Sequence, residues 1–415
     1  MFQQQGQQPT RGLPATIMTV ATALALGARR SRRGITVTLS IRRRLAFVPA
    51  LLASFLLTLP ASWTRKLAAT LTLTAVIAMT GGTAAEAHPR ERTEVTELAT
   101  FVDGPCTDDI CGTGSTVGPG GDLYVTDSTA GRIQRIDPRR GTVTTFADGL
   151  PPAIPGVVGG GLADIAFRGR TAYVLTAGVS KFWTDLLGSS AVPSAEGIYR
   201  LDRVGSGTTR ATLIADIYAW SEANPPRHPG FFVPGGFTYA MQPYRHGFLV
   251  TDAHHNRVLQ VGLNGDISLF QDFAANVVPT GLDLSGRTVL VGQAGPVPHI
   301  PAAGRVVALR RAGGPIANVA SGAPLLVDVE ARGHTVYGLA QGDWPYAGQP
   351  GKEGFPASPN TGLLVRADGH GQFRPVVSGL DRPTTFEIIG NTAFVVTITG
   401  KVLKITGLER GNAGH

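Results

Sequence analysis

Residues Gly118–Ala147 read GPGGDLYVTDSTAGRIQRIDPRRGTVTTFA. A glycine-rich turn opens the stretch. Leu123–Thr126 is a short run of β-formers, Asp127–Gly131 a turn, Arg132–Asp137 a second strand and Thr142–Phe146 a third. Residues Tyr244–Phe270, YRHGFLVTDAHHNRVLQVGLNGDISLF, repeat that order. Here the strands are Phe248–Thr251, Arg257–Val261 and Ile267–Phe270, with turns at Asp252 and at Asn264-Gly265. Both units carry Val-Thr-Asp at the end of the first strand and an Arg five residues after the Asp. An Asp that opens a tight turn bonds the backbone of its own turn. The recurrence of Asp127 with Arg132 and of Asp252 with Arg257 therefore points to structural work rather than acid catalysis.

Weaker copies fill the rest of the chain. Asp164–Ile217 contains Thr171–Thr176, Gly197–Asp202 and Thr209–Ala215. Gly281–Ala320 contains Thr288–Gly292, Gly304–Leu309 and Ile316–Ala320. Val327–Ser378 contains Thr335–Leu339, Gly362–Arg366 and Phe373–Val377. The last copy, Thr384–Ile405, is one strand short. Glu94–Val102, EVTELATFV, alternates like a strand and has no partner of its own. Pairing it into the last copy closes a ring and leaves no exposed sheet edge. The expectation is an all-β six-bladed β-propeller over residues 93–406, after a short linker at 88–92 and before a tail at 407–415. Composition agrees. Gly is 54 of 415 residues and charged residues are 16%, against about 25% charged in typical soluble proteins.

The net charge of +8 belongs to the N-terminus. Residues 1–87 hold ten of the 37 Lys and Arg but only one of the 29 Asp and Glu, leaving 27 basic and 28 acidic residues from His88 onward. A body without excess positive charge argues against nucleic acid as a partner. Arg65-Lys66, the uncharged run Leu67–Met79 and Ala85-Glu86-Ala87 make a basic, an apolar and an A-x-A region. That is an export signal cut after Ala87, and its apolar run is shorter than the roughly 20 residues a spanning helix needs. Because signals run to about 30 residues, the stretch before it is either untranslated or an anchor. Its Ser40–Leu45 string, SIRRRL, resembles a twin-arginine signal. The expected product is secreted, extracellular or in the cell envelope, free of the membrane once the signal is removed, and monomeric. Cys106 and Cys111 both lie in the exported part, where a small-loop disulfide is expected. Two cysteines alone make a poor zinc site.

The LYVTD…RI and FLVTD…RV units resemble NHL-type propeller repeats. The whole 93–406 region, with its early cysteine pair, its GG-F-T and P-T-G-L-D openings and its wide insertions, resembles the ScyD/ScyE family of exported proteins. That resemblance implies a six-bladed propeller, an export route and a link to secondary-metabolite assembly.

Propeller geometry sorts the loops. With strands A to D counted from the channel outward, the A–B loops Arg168–Arg170, Ser285–Arg287 and Arg332–His334 are short, as is the C–D turn Asn264-Gly265. The B–C insertions Gly178–Glu196, Gln293–Ala303 and Gln341–Thr361 are long, and so is the D–A insertion Tyr218–Pro234. All the long loops fall on one face, where function in repeat proteins concentrates. Three of the four tryptophans, Trp183, Trp220 and Trp344, lie in them, with Phe182, Tyr218, Phe231, Phe232, Tyr346 and Phe355. These aromatics either pack the loops or bind a small molecule, glycan or protein. The candidate ligand residues are Trp183, Trp220, Asp343, Trp344 and Tyr346. No cofactor is expected on this reading.

The alternative is an enzyme, a divalent-cation-dependent hydrolase or lyase with acids in the channel. Asp164, Asp283, Glu330 and Glu387 sit in inner strands of four repeats, a hard-oxygen set of the kind a divalent cation takes. Propellers of the gluconolactonase type hold a cation by Glu, Asn and Asp from separate blades, but Asn is missing from the corresponding strand starts here. The same carboxylates would also line a wet channel. His254-His255 share one turn, which suits a metal poorly. With neither Gly-x-Ser-x-Gly nor His-Glu-x-x-His, neither a hydrolase elbow nor a zincin helix is indicated.

Overall fold

The computed structural model describes residues 93–408 apart from 104–105, 107–109, 205–208, 228–232, 275 and 353. The export signal expected in 1–87 and the linker at 88–92 lie outside the described residues. The described chain forms six antiparallel sheets of four strands each. It opens with β1 (Glu94–Thr100). Blade 1 is then β2 (Gly112–Val117), β3 (Leu123–Asp127), β4 (Arg132–Ile136) and β5 (Val143–Ala147). Blade 2 is β6 (Gly161–Arg168), β7 (Thr171–Ala177), β8 (Gly197–Arg203) and β9 (Arg210–Asp216). Blade 3 is β10 (Thr238–Tyr244), β11 (Gly247–Asp252), β12 (Arg257–Gly262) and β13 (Ile267–Asp272). Blade 4 is β14 (Pro279–Ser285), β15 (Thr288–Gln293), β16 (Gly304–Leu309) and β17 (Ile316–Ala323). Blade 5 is β18 (Leu326–Arg332), β19 (Thr335–Ala340), β20 (Gly362–Ala367) and β21 (Phe373–Leu380). Blade 6 is β22 (Pro383–Ile389), β23 (Thr392–Thr397) and β24 (Lys401–Thr406), completed by β1.

The closure follows the sequence reading. β1 pairs antiparallel with β24 from Glu94↔Thr406 to Thr100↔Lys401. Only its end is buried, with Ala99 and then Phe101 packed beside Leu123, Phe394 and Val402. The strand therefore contributes backbone pairing first and side-chain burial second. The six inner strands form a closed circuit, since β22 also touches β2. Apolar clusters bridge neighbouring blades. One joins Leu175 and Ile198 of blade 2 to Phe248 and Leu259 of blade 3. Full burial of such a side chain is worth roughly 1.5–3 kcal/mol.

Two short helices stand where the sequence reading has only loops: α1 (Lys181–Leu187) and α2 (Ile217–Ala223). Seven residues are too few for a helical period to show against irregular chain. α2 is started by Asp216, whose side chain accepts from Ala219 N at 2.9 Å. Cys106 and Cys111 form a disulfide. No helix among the described residues is long and apolar enough to cross a membrane.

Every inner strand carries a register shift near its start. An extra residue there bends the strand and re-aims its side chains. This repeated bulge shapes the upper part of the channel.

Candidate functional site

A pocket of about 290 Å³ opens on the loop-rich face. Its walls come from B–C and D–A connections, as the loop assignment requires. Trp183 comes from the blade 2 insertion and Phe237 from the link into blade 3. His254 comes from the turn after β11, His299 from the blade 4 insertion and Phe355 from the blade 5 insertion.

The chain holds these groups by backbone contacts. The buried Glu196 carboxylate accepts from Ser180 N at 2.9 Å and Val179 N at 3.2 Å, which pins the base of the α1 insertion and with it Trp183. Burial raises the Glu196 pKa against these hydrogen bonds. The turn bearing His254 is fixed on both sides. Asp252 accepts from Phe237 N at 3.1 Å and pairs with Arg257 at 3.0 Å. Asn256, at φ +53°, accepts from Val277 N and Val278 N. The neighbouring His255 is fully buried, with Nε2 2.6 Å from the Val233 carbonyl. Asp127 repeats the arrangement in blade 1, pairing with Arg132 at 3.0 Å and capping its own turn through Ala130 N. Both Asp–Arg pairs are thus built into the turns, as their recurrence indicated.

Two aromatic ladders reach the pocket. Phe182, Trp183, Phe237 and His254 stack in sequence at centroid distances of 5.2, 6.1 and 5.2 Å. His299, Trp344, Tyr346 and Phe355 do the same at 5.4, 5.7 and 5.7 Å. Most steps are edge-to-face, the favoured aromatic geometry. Burial pulls the imidazoles of His254 and His299 down to about 4, so both are neutral at pH 7. None of the described lining residues is Asp, Glu, Lys or Arg. The buried indole Nε1 of Trp183 has no hydrogen-bond partner among the described residues.

Of the five candidate ligand residues, Trp183 lies on the pocket wall. Trp344 and Tyr346 stand behind the wall in the second ladder. Asp343 is exposed, its N–H donating to Thr361 Oγ1 at 2.9 Å. Trp220 packs on the core between blades 2 and 3, with the Arg257 guanidinium 5.1 Å from its ring centroid.

Below the pocket a smaller cavity of about 70 Å³ occupies the channel, lined by Asp164, Asp328, Glu330 and Glu387 among others. Three of the four carboxylates in the metal alternative accept hydrogen bonds, Glu387 from Ser115 Oγ at 3.4 Å. Asp164 accepts from Ile165 N at 2.8 Å and from Met241 N of the next blade at 2.7 Å. Asp283 accepts from Gln242 Nε2 at 3.0 Å and from Ala331 N of the next blade at 2.7 Å. Asp328 was not singled out by the sequence, yet it makes the same clip, to Thr385 Oγ1 and Phe386 N at 2.9 Å each. These carboxylates stitch one inner strand to the next. Burial raises the pKa of Glu330 and Glu387, and neighbouring negative charge raises both further. Among the described residues no group of three or more His, Cys, Asp or Glu is arranged to hold a metal ion.

Fold and site together define a six-bladed β-propeller with an apolar mouth over an acidic channel. No family model matches the chain, and no curated protein does. Solved structures do. Virginiamycin B lyase from Staphylococcus aureus is 13% identical with a TM-score of 0.43, over 76% of this chain and 99% of that one. A gluconolactonase from Xanthomonas campestris is 12% identical with a TM-score of 0.47, over 78% and 93%. The PQQ-bound aldose sugar dehydrogenase of Streptomyces coelicolor is 14% identical with a TM-score of 0.46, over 76% and 98%. At these identities the likeness is to an architecture and not to a chemistry.

Proposed function

We propose that this propeller is an exported binding protein whose mouth pocket takes a small, uncharged, largely apolar molecule. The observation that supports it is the lining: aromatic and aliphatic side chains, two imidazoles kept neutral by burial, and no charged group among the described residues. A charged ligand would lose its hydration there without a counter-charge. At about 290 Å³ the pocket stands at the low end of the range for small-molecule sites. A glycan or protein ligand fits such a small, apolar recess less well. The resemblance of the repeats to the ScyD/ScyE family supports assigning the ligand to secondary metabolism.

The test uses Nile red, a neutral dye, with purified protein. The expected result is saturable binding that Val297→Lys, a charge placed on the pocket wall, abolishes without changing the melting temperature. No dye binding, or equal binding by the Val297 variant, overturns the proposal.

A further inference from the structure

The mouth pocket and the channel cavity share three lining residues: Thr113, Tyr239 and Thr384. Tyr239 is the only large one. Strand register shows what is unusual about it. In blades 1, 3 and 4 the last residue of the second strand pairs with Gly112, Thr238 and Pro279 respectively. The next residue along the inner strand is Thr113 in blade 1, Thr280 in blade 4 and Tyr239 in blade 3. The two threonines turn their hydroxyls onto carbonyls of the following blade, Thr113 to Leu162 and Thr280 to Leu326. A phenol ring cannot fold back in that way. Like the two threonines, Tyr239 lies in the bulge of its strand, here between Thr238 and Met241. It packs against the cluster of Val327, Tyr337, Leu339 and Phe386 in blades 5 and 6. A side chain from blade 3 that reaches blades 5 and 6 must cross the channel.

The two chambers it divides differ in chemistry. Above it the described lining holds no charged residue; below it are Asp164, Asp328, Glu330 and Glu387. We propose that Tyr239 is the floor of the mouth pocket and a specificity-determining residue, which limits the depth a ligand can reach and keeps it away from the channel carboxylates. This rests on the reading of the mouth pocket as the binding site. The expected preference is for compact neutral ligands over those with a cationic tail.

Two substitutions test it in the full mature protein. Tyr239→Thr installs the residue that blades 1 and 4 already carry at this register, so the fold has a precedent for it. Tyr239→Phe keeps the ring. Affinities are measured for a naphthyl alcohol and for a naphthylbutylamine, whose ammonium could reach the carboxylates only through an open floor. The native protein and the Phe variant are expected to bind the alcohol and to gain nothing from the amine. The Thr variant is expected to bind the amine about tenfold more tightly than the native protein does, the gain of one hydrogen bond to a charged group. Equal amine affinity in the native and Thr proteins overturns the proposal.

Failure of every protein to bind either probe counts against the mouth pocket as a site, and the floor is then read without a ligand. Carboxyl NMR follows Asp328, whose charged neighbours are Asp164, Asp283, Glu330 and Glu387. It is expected to titrate near the same pH in the native and Phe proteins. In the Thr variant it should move toward the ordinary carboxylate range as water enters from the mouth. An unmoved titration in the Thr variant refutes the floor.

Discussion

Asp252 and Asp127 occupy the same turn in two blades, and the difference in their surroundings makes a quantitative prediction. Asp252 has no exposed surface, and its partner Arg257 is 4% exposed. Arg257 also donates to the Asn224 carbonyl at 2.7 Å and to Ser221 Oγ at 2.8 Å, so it ties α2 to the turn. Asp127 is as buried, but Arg132 is 24% exposed and has a second carboxylate partner in Asp103 at 2.8 Å. Asp252→Ala therefore strands a buried guanidinium, which costs about 3–5 kcal/mol. Asp127→Ala leaves Arg132 with water and Asp103, and should cost about 1 kcal/mol. With an unfolding entropy near 2.1 cal/mol/K per residue over about 310 residues, those losses correspond to falls in melting temperature of about 5–8 °C and 1–2 °C. Calorimetry of the two variants at pH 7, with urea unfolding as a check, measures both. Burial alone would raise the Asp252 pKa, but His255 and Arg257 outweigh it and hold it below the usual value. Its stabilisation is thus present above the ordinary carboxylate pKa of about 3.9 and is lost as the pH falls through the lower folded-state value. The gap between native protein and Asp252→Ala should narrow in strong acid. Equal losses for the two variants at pH 7 would refute the assignment of the cost to burial of the cation.

The channel carboxylates give the opposite sign. Burial pushes Asp328 up to about 7, so its folded state binds a proton that the unfolded state has released. The stability tied to that proton is complete below about pH 4 and is lost as the pH rises toward 7; Asp328→Asn is expected to flatten this part of the stability–pH curve, and an unchanged slope counts against it. Removal of Glu94–Val102 leaves the outer edge of β24 unpaired and strips Phe101 from its cluster. Since truncating one buried Phe costs about 3–5 kcal/mol against a typical net stability of about 5–15, the expected outcome is aggregation, and a soluble product with the native melting temperature would contradict the closure.

The architecture was legible because its determinants are local. Val-Thr-Asp at the end of one strand, a turn, and an Arg opening the next can be read within ten or so residues, and period-2 alternation marks each strand without knowledge of its neighbours. The closing strand could be inferred because the last repeat lacked a member. α1 and α2 were not legible: each is seven residues long and is held by tertiary groups, α1 by Glu196 and α2 by Arg257.

The site was legible only in part, for a related reason. Residue type alone drew attention to the tryptophans and to Asp164, Asp283, Glu330 and Glu387, but type does not say which way a side chain is turned. Trp183 and Trp220 look alike as loop aromatics. One lines the pocket because Glu196 fixes the start of its insertion; the other lies on the core because Arg257 stacks on it. Asp328 escaped notice because its equivalence to Asp164 appears only after pairing, when both stand opposite a leucine of the second strand, Leu339 and Leu175. Tyr239 is the hardest case. Nothing in Thr238-Tyr239-Ala240 sets it apart from any strand tyrosine. Its position is special because blades 1 and 4 put threonine in the same bulge, and because its ring packs against the cluster of blades 5 and 6. Each of these facts compares one blade with another. In a propeller the walls of the pocket can be sought in the loops, but the floor belongs to the inner strands, and it becomes visible only once their registers are laid side by side.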